Sequence, residues 1–554
     1  MKRRDFIRTT SLSALGSIAL GSNIYATTAK ADLLIKNATI VDGTGGPLWK
    51  SDLLIKGDII LDIGSFEDSA ALQTIDGAGK YLSPGFIDMH SHSDDNILLY
   101  PYAESRITQG ITSEVTGNCG YSAAPMIGID RDKRMESFRK DGVTNDWTDV
   151  TSYCNLFDGL GTSVNHALLL GHGTLRRNAV GLVDRNLTDD ELKNVINALE
   201  QGMEQGAFGF SSGLEYTPGM YAPTEELIAL ARVTARHGGL HATHMRDEET
   251  LLLEAISEAL TIARESGVRL EISHLKASGK PNWSKQISAL NMIESARRDG
   301  VDVMVDAYPY TAFSTTLTTF LPGWSREGGS KKLAERLADE ATRDKIRKEV
   351  HDKVLFDLGG YALIVISSVD NNTGLIGMNL QDIAIDWNVK PVDALLQVLE
   401  KEDFEVGFVG HGMKPENVEM VLSHPLVMIG SDGSARAPYG PEAKNRPHPR
   451  SYGTSARVIG YYCRDRKIFD LPTAIKKMTS MPADQIGLHD RGRIAKGMKA
   501  DLVLFDFGKV NDTATFTEPH QYATGFEFVF VNGKAVIANS QITKKGSGKM
   551  LRFG

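Results

Sequence analysis

Short apolar runs bounded by turn residues open and close the chain. Near the start, Asp32-Leu33-Leu34-Ile35-Lys36 and Asp52-Leu53-Leu54-Ile55-Lys56 read as strands, with turns at Gly45-Gly46 and Lys56-Gly57-Asp58. Residues 500–505 and 528–534 repeat the pattern near the end. Both ends therefore predict β-structure, and the economical arrangement is one small β-sandwich built from residues 32–83 and 491–554.

Residues 84–490 alternate strand-like and helical patterns. Residues 188–204 predict a helix: Thr188 and Glu191 form a capping box, Leu192, Val195, Ile196, Leu199 and Met203 make one apolar stripe, and Gly206 lies past the end. The next unit follows the same scheme, with a strand at 207–212, a helix opened by Thr224 and closed by Gly238-Gly239, and a strand at 240–244. Parallel strands are expected to end near His90, Thr116, Leu170, Ser212, His244, His274, Ala307 and Asp432. Eight strand–helix units predict an α/β fold, a (β/α)8 TIM-like barrel. Strand-like runs at 362–366 and 405–410 exceed that count. They fit an insertion of about 310–425 between strands seven and eight, above the C-terminal mouth where barrels keep their active sites.

Residues 1–31 read as an export signal. Lys2, Arg3, Arg4 and Arg8 supply a basic start, residues 10–21 a short apolar run, and Ala29-Lys30-Ala31 a small-residue cleavage site. The run is too short and too rich in Ser and Gly to span a membrane. Arg3-Arg4 followed by Asp5-Phe6-Ile7 resembles the twin-arginine signal, which implies the export machinery for folded proteins and a periplasmic or secreted location.

Composition narrows the function classes. The 554 residues are 41% hydrophobic and 24% charged, which is globular, and the net charge of −9 argues against nucleic acid as a partner. Three cysteines exclude a disulfide framework.

Chemistry concentrates at the expected strand ends. His90 and His92, two apart on one strand, point the same way and can hold one ion from one side. Cys119 stands in Asn118-Cys119-Gly120, and His244, His274 and Asp432 close strands five, six and eight. Imidazole, thiolate and carboxylate are the donors zinc prefers. Each residue alone has an ordinary structural explanation; their coincidence on one rim points to a metal site. His172, His237 and His241 are expected to be structural, as are Cys154 and Cys463.

The run Gly85-Phe86-Ile87-Asp88-Met89-His90-Ser91-His92, together with Asn118-Cys119-Gly120, His244-Met245-Arg246 and Ser273-His274-Leu275-Lys276, resembles the D-aminoacylase branch of the amidohydrolase superfamily. So do Asp306-Ala307-Tyr308-Pro309-Tyr310, Ser431-Asp432-Gly433 and His448-Pro449-Arg450. The resemblance spans about 32–540. It implies that Cys119, His244 and His274 hold one zinc ion tightly, and that His90, His92 and Asp432 form a second, weaker position. The strand-four segment 208–215 lacks the bridging lysine of many amidohydrolases, a departure that fits this branch, where the cysteine bridges instead. Glu215 is near enough to be a spare ligand, but a supporting role is preferred.

Such a site activates water at neutral pH and polarises an amide carbonyl. Asp432 can take the proton from water and later deliver it to the leaving amine. Arg450 matches the family's carboxylate-binding arginine, and Lys276, Tyr308 and Ser314 match further contacts at that end. Arg436 and Lys444 are expected to be loop charges. The implied reaction is hydrolysis of N-acyl-D-amino acids to a D-amino acid and a carboxylate. The alternatives are a dipeptidase acting before a C-terminal D-residue and a cyclic-amide hydrolase, the latter disfavoured because its substrates need no carboxylate clamp.

Overall fold

A computed structural model describes residues 30–128, 131–140 and 142–554 of the chain. The export-signal reading falls on residues 1–29, outside the described residues, and reaches the described part only at its last two positions.

The centre is an eight-stranded parallel barrel: β1 (Phe86–Asp88), β2 (Ile111–Thr116), β3 (Asn165–Gly171), β4 (Gly209–Gly213), β5 (Leu240–His244), β6 (Arg269–Ile272), β7 (Val303–Ala307) and β8 (Val427–Ile429), paired in chain order. The ring closes just past β8 and β1, where Asp432 N–H donates to the His90 carbonyl at 2.8 Å and Ser91 bridges Gly433. Side chains alternate across each strand. Ile87, Met89, Val115, Ala167, Leu169, Phe208, Leu240, Ala242 and Met428 fill one cluster, while Leu168, Leu170, Leu270, Ile272, Val303 and Val305 pack in another with the surrounding helices. Burial on both faces explains the apolar run Ala167–Leu170 of β3, while Ile111–Thr116 and Leu240–His244 carry buried polar side chains.

The helix Asp189–Glu204 shows how the outer layer is set. Thr188 and Glu191 complete the expected capping box, and Val195, Leu199 and Met203 face inward. A Cβ on Gly202 would collide with Leu170, so glycine lets the helix approach β3.

Between β7 and β8 the chain forms a separate unit. Phe313–Thr316, Gly407–Gly410 and Ile364–Ser368 make a three-stranded antiparallel sheet. Its hydrophobic cluster runs from Leu317 to Phe408 and is independent of the barrel core. The helix Pro415–Ser423, by contrast, sends Val418, Val421 and Leu422 into the barrel's packing.

The two ends of the chain meet in one nine-stranded sheet. Leu502–Phe505 lies between Tyr81–Pro84 and Phe526–Val531, and Ala31–Ile40 continues the sheet beyond Tyr81–Pro84. Leu33, Ile35, Leu53 and Leu82 share a cluster with Leu502, Leu504 and Phe530. No helix among the described residues is long and apolar enough to cross a membrane.

Candidate active site

All six expected metal donors stand at the C-terminal rim of the barrel. His244 ends β5, and the others lie two to four residues beyond their strands, where the backbone turns sharply. Cys119, His274 and Asp432 have φ of 52°, 37° and 51°, left-handed values that non-glycine residues seldom adopt. Strain at three site residues marks a geometry held by its surroundings. One such constraint is Gly213, where a Cβ would collide with the Cys119 carbonyl.

The donor atoms converge. Cys119 Sγ lies 3.3 Å from His90 Nε2 and 3.5 Å from His274 Nε2. Asp432 Oδ1 is 3.0 Å from His92 Nε2 and 3.6 Å from His90 Nε2. His244 Nδ1 faces His274 Nε2 at 2.9 Å.

Three carboxylates fix the imidazoles from behind. Asp306 Oδ2 is 3.0 Å from His90 Nδ1, Glu248 Oε1 is 2.8 Å from His274 Nδ1, and Glu215 Oε2 is 3.2 Å from His244 Nε2. Each carboxylate stands where it can accept the N–H of its ring, which directs the other ring nitrogen toward the cluster. The cluster-facing nitrogens of His244 and His274 stand 2.9 Å apart. With Cys119 and Asp432 they make a mixed nitrogen, sulfur and oxygen donor set, and the residues present fit a zinc site. Glu215 takes the supporting position. Glu248 escaped the sequence reading, although its place four residues after His244 was a usable signal. Asp306 was read only as part of a motif.

The electrostatics agree. Burial alone would raise the Cys119 thiol, but the imidazoles of His90, His92 and His274 hold it well below its ordinary value. Burial likewise opposes ionisation of Asp432, yet the Arg450 guanidinium and His92 keep its carboxyl well below the usual range.

The four expected substrate contacts lie beside this cluster. Arg450 opens the helix Arg450–Arg457, with Nη1 2.7 Å from Asp432 Oδ2, Nη2 donating to the Ser314 carbonyl at 3.1 Å, and the guanidinium 4.8 Å from the centre of the Tyr308 ring. The Tyr308 hydroxyl is buried and has no hydrogen-bond partner among the described residues. Lys276 pairs with Glu248 and donates to the His274 carbonyl at 3.2 Å. The Ser314 hydroxyl is committed to the Phe408 carbonyl at 2.8 Å, so this residue meets Arg450 through its backbone. A cavity of about 390 Å³ opens over the cluster, walled by barrel loops and, from the insertion, by Phe313, Phe320, Lys353 and Phe408.

The remaining candidates sit elsewhere. Arg436 pairs with Glu442, and Lys444 lies 3.3 Å from Asp370. His172 is tied to Glu226 at 2.8 Å, His237 lies 3.8 Å from Glu200, and His241 stacks on Phe210 at 4.3 Å. Cys154 and Cys463 are buried free thiols.

This architecture has known counterparts. The D-aminoacylase of Alcaligenes xylosoxydans xylosoxydans is 34% identical over 520 residues, covering 94% of this chain and 97% of its own length. The chain belongs to the D-aminoacylase family of amidohydrolases. An amidohydrolase family profile matches residues 403–537. Among relatives of this D-aminoacylase family, the N-acyl-D-glutamate deacylase of the same organism is also 34% identical, covering 94% of this chain and 97% of its own. The solved N-acyl-D-glutamate deacylase of Bordetella bronchiseptica, complexed with zinc and a phosphonate inhibitor, superposes with a TM-score of 0.80 at 32% identity, covering 94% of this chain and all of its own.

Proposed function

We propose that this protein hydrolyses the amide bond of N-acyl-D-amino acids, releasing a D-amino acid and a carboxylate. The observation that carries the reading is Arg450 Nη1 lying 2.7 Å from Asp432 Oδ2 at the edge of the donor cluster. A carboxylate anchor beside a general base specifies a substrate whose scissile amide sits next to a free carboxylate. The D-configuration rests on the relatives, whose names specify D-amino acids.

Cys119, His244 and His274 would hold a zinc ion, with a second position at His90, His92 and Asp432; when bound it would supply the Lewis acidity that makes water nucleophilic at neutral pH and polarises an amide carbonyl. The rest is done by the chain. Arg450 receives the substrate carboxylate as a planar fork, with the Tyr308 ring packed against its guanidinium. Asp432 takes the proton of the attacking water and delivers it to the amine nitrogen, which cannot leave as an anion. The Lys276–Glu248 pair holds the His274 ring in orientation.

The deciding experiment is turnover of a panel of N-acetyl-D- and N-acetyl-L-amino acids and their carboxamides, with amine detection and metal analysis. Expected are preference for the D-isomer with a free carboxylate, loss of activity with a chelator and its return with zinc. Equal rates on D and L, or on carboxylate and carboxamide, overturn the reading. Arg3-Arg4 and the apolar run of residues 10–21 support export by the twin-arginine route. Replacing both arginines with lysine is expected to retain the protein in the cytoplasmic fraction.

A further inference from the structure

Phe516 belongs to the excursion between the strands Leu502–Phe505 and Phe526–Val531 of the end sheet, yet its ring packs against the barrel. It meets His448 edge-on, with centroids 4.9 Å apart and planes at 81°. His448 is buried two residues before Arg450. Its Nδ1 accepts from the Arg450 N–H at 3.0 Å, and its Nε2–H donates to the Ala312 carbonyl at 2.9 Å. Ala312 precedes the strand carrying Ser314, whose carbonyl receives Arg450 Nη2. One imidazole therefore ties both the backbone of the carboxylate anchor and the strand that holds its guanidinium.

Those two bonds require the neutral Nε2–H tautomer. Burial, reinforced by the neighbouring Arg450 charge, holds this imidazole well below its ordinary value. Nδ1 also does a job that a Ser or Asp usually does, satisfying an N–H in the first turn of a helix. It has little freedom to rotate: Tyr310 packs on it edge-on at 5.1 Å, and Phe516 supplies a second aromatic wall. The excursion itself is clamped to the same helix, by Asp512 on Arg457 at 2.9 Å and by His520 on the Tyr452 hydroxyl at 2.8 Å.

We propose that Phe516 is a positioning residue for carboxylate recognition: it holds the His448 ring that fixes Arg450, so that the end sheet tunes the barrel's affinity for substrate. This rests on the reading of Arg450 as the carboxylate anchor. Arg450 touches substrate, whereas His448 and Phe516 act through it.

The test is steady-state kinetics of the zinc-loaded enzyme on an N-acetyl-D-amino acid and its carboxamide. Phe516→Ala is expected to raise KM for the carboxylate about ten-fold, with kcat within about three-fold, the signature of lost ground-state binding. Bound zinc per chain should be unchanged, and the carboxamide should show no matching loss. Phe516→Leu and Phe516→Tyr, which keep an apolar wall, should stay near the parent. His448→Ala should reproduce the Phe516→Ala defect, and the double variant should add little to it, as residues acting through one another do. Equal losses on both substrates, an unchanged KM, or fully additive defects overturn the proposal. A parent enzyme indifferent to the carboxylate overturns the assignment of Arg450 itself, a failure seen before any variant is made.

Discussion

Arg450 Nη1 lies 2.7 Å from Asp432 Oδ2, so the residues proposed as carboxylate anchor and general base are paired with each other. The pair couples two functions. On the proposed reading, a substrate carboxylate would share the Arg450 guanidinium with Asp432, whose carboxyl that guanidinium holds well below the usual range. Arg450 is more than a charge, because it also reaches the Ser314 carbonyl and lies over Tyr308.

Arg450→Ala is expected to lower kcat/KM for N-acyl-D-amino acids on the order of 100-fold, the scale of losing one buried, hydrogen-bonded charge pair. Arg450→Lys should recover only part of this, since an ammonium lacks the planar fork. Kinetics on carboxylate and carboxamide substrates check it: the loss should fall on the carboxylate.

Asp432→Asn should retain zinc through Cys119, His244 and His274 and lose activity by roughly 10²–10⁴, the range for removing a general acid–base. Metal analysis alongside turnover separates the two effects. Near-normal turnover in a zinc-loaded variant would remove Asp432 from the proton-transfer role.

Glu248→Gln and Asp306→Asn address the residues behind the metal-facing imidazoles. An amide can still meet the ring N–H through its oxygen but no longer raises ring basicity as a carboxylate does. Each change is expected to weaken metal affinity about 10–100-fold. Competition with a chromophoric chelator measures this directly, without reference to turnover. Glu248→Gln carries a second effect, because Lys276 loses its buried partner.

The donors themselves were legible because chemistry follows topology. His90, Cys119, His244, His274 and Asp432 all come at or just past the end of an expected strand, and a parallel barrel gathers such ends on one rim. Their supports were less visible. Asp306 meets His90 from 216 residues away, a relationship no local pattern records. The insertion was recognisable as surplus strands, but the partnership of Phe313–Thr316 with Gly407–Gly410 depends on the return path of nearly the whole unit. Ser314 shows the limit at a single residue: its position beside Arg450 was readable, whereas the commitment of its hydroxyl to Phe408 and the use of its carbonyl required the backbone. Phe516 lies still further from any local signal, since it reaches the barrel from a connection within the end sheet.

Acid sensitivity should trace in part to Glu114. This buried carboxylate accepts from Arg106 Nε at 2.8 Å, from the Ser91 and Ser93 hydroxyls at 2.7 and 2.9 Å, and lies 3.1 Å from His166 Nε2. Burial pushes its pKa upward, but Arg106 and His166 more than offset this and bring it to about 2. An unfolded glutamate titrates near ~4.3, so between those values the unfolded chain binds more protons than the native one. The stabilisation from Glu114 is therefore complete above about pH 5 and is lost as the pH falls toward 2, a contribution on the order of 3 kcal/mol. Glu114→Gln, which leaves Arg106 short of a charged partner, should cost about 3–5 kcal/mol at neutral pH. The gap between parent and variant in urea unfolding should narrow steadily as the pH is lowered below 4. Because Ser91 and Ser93 beside His90 and His92 donate to Glu114, the comparison is made on metal-free protein; a gap that stays constant with pH would show that the Glu114 charge contributes no stability of its own.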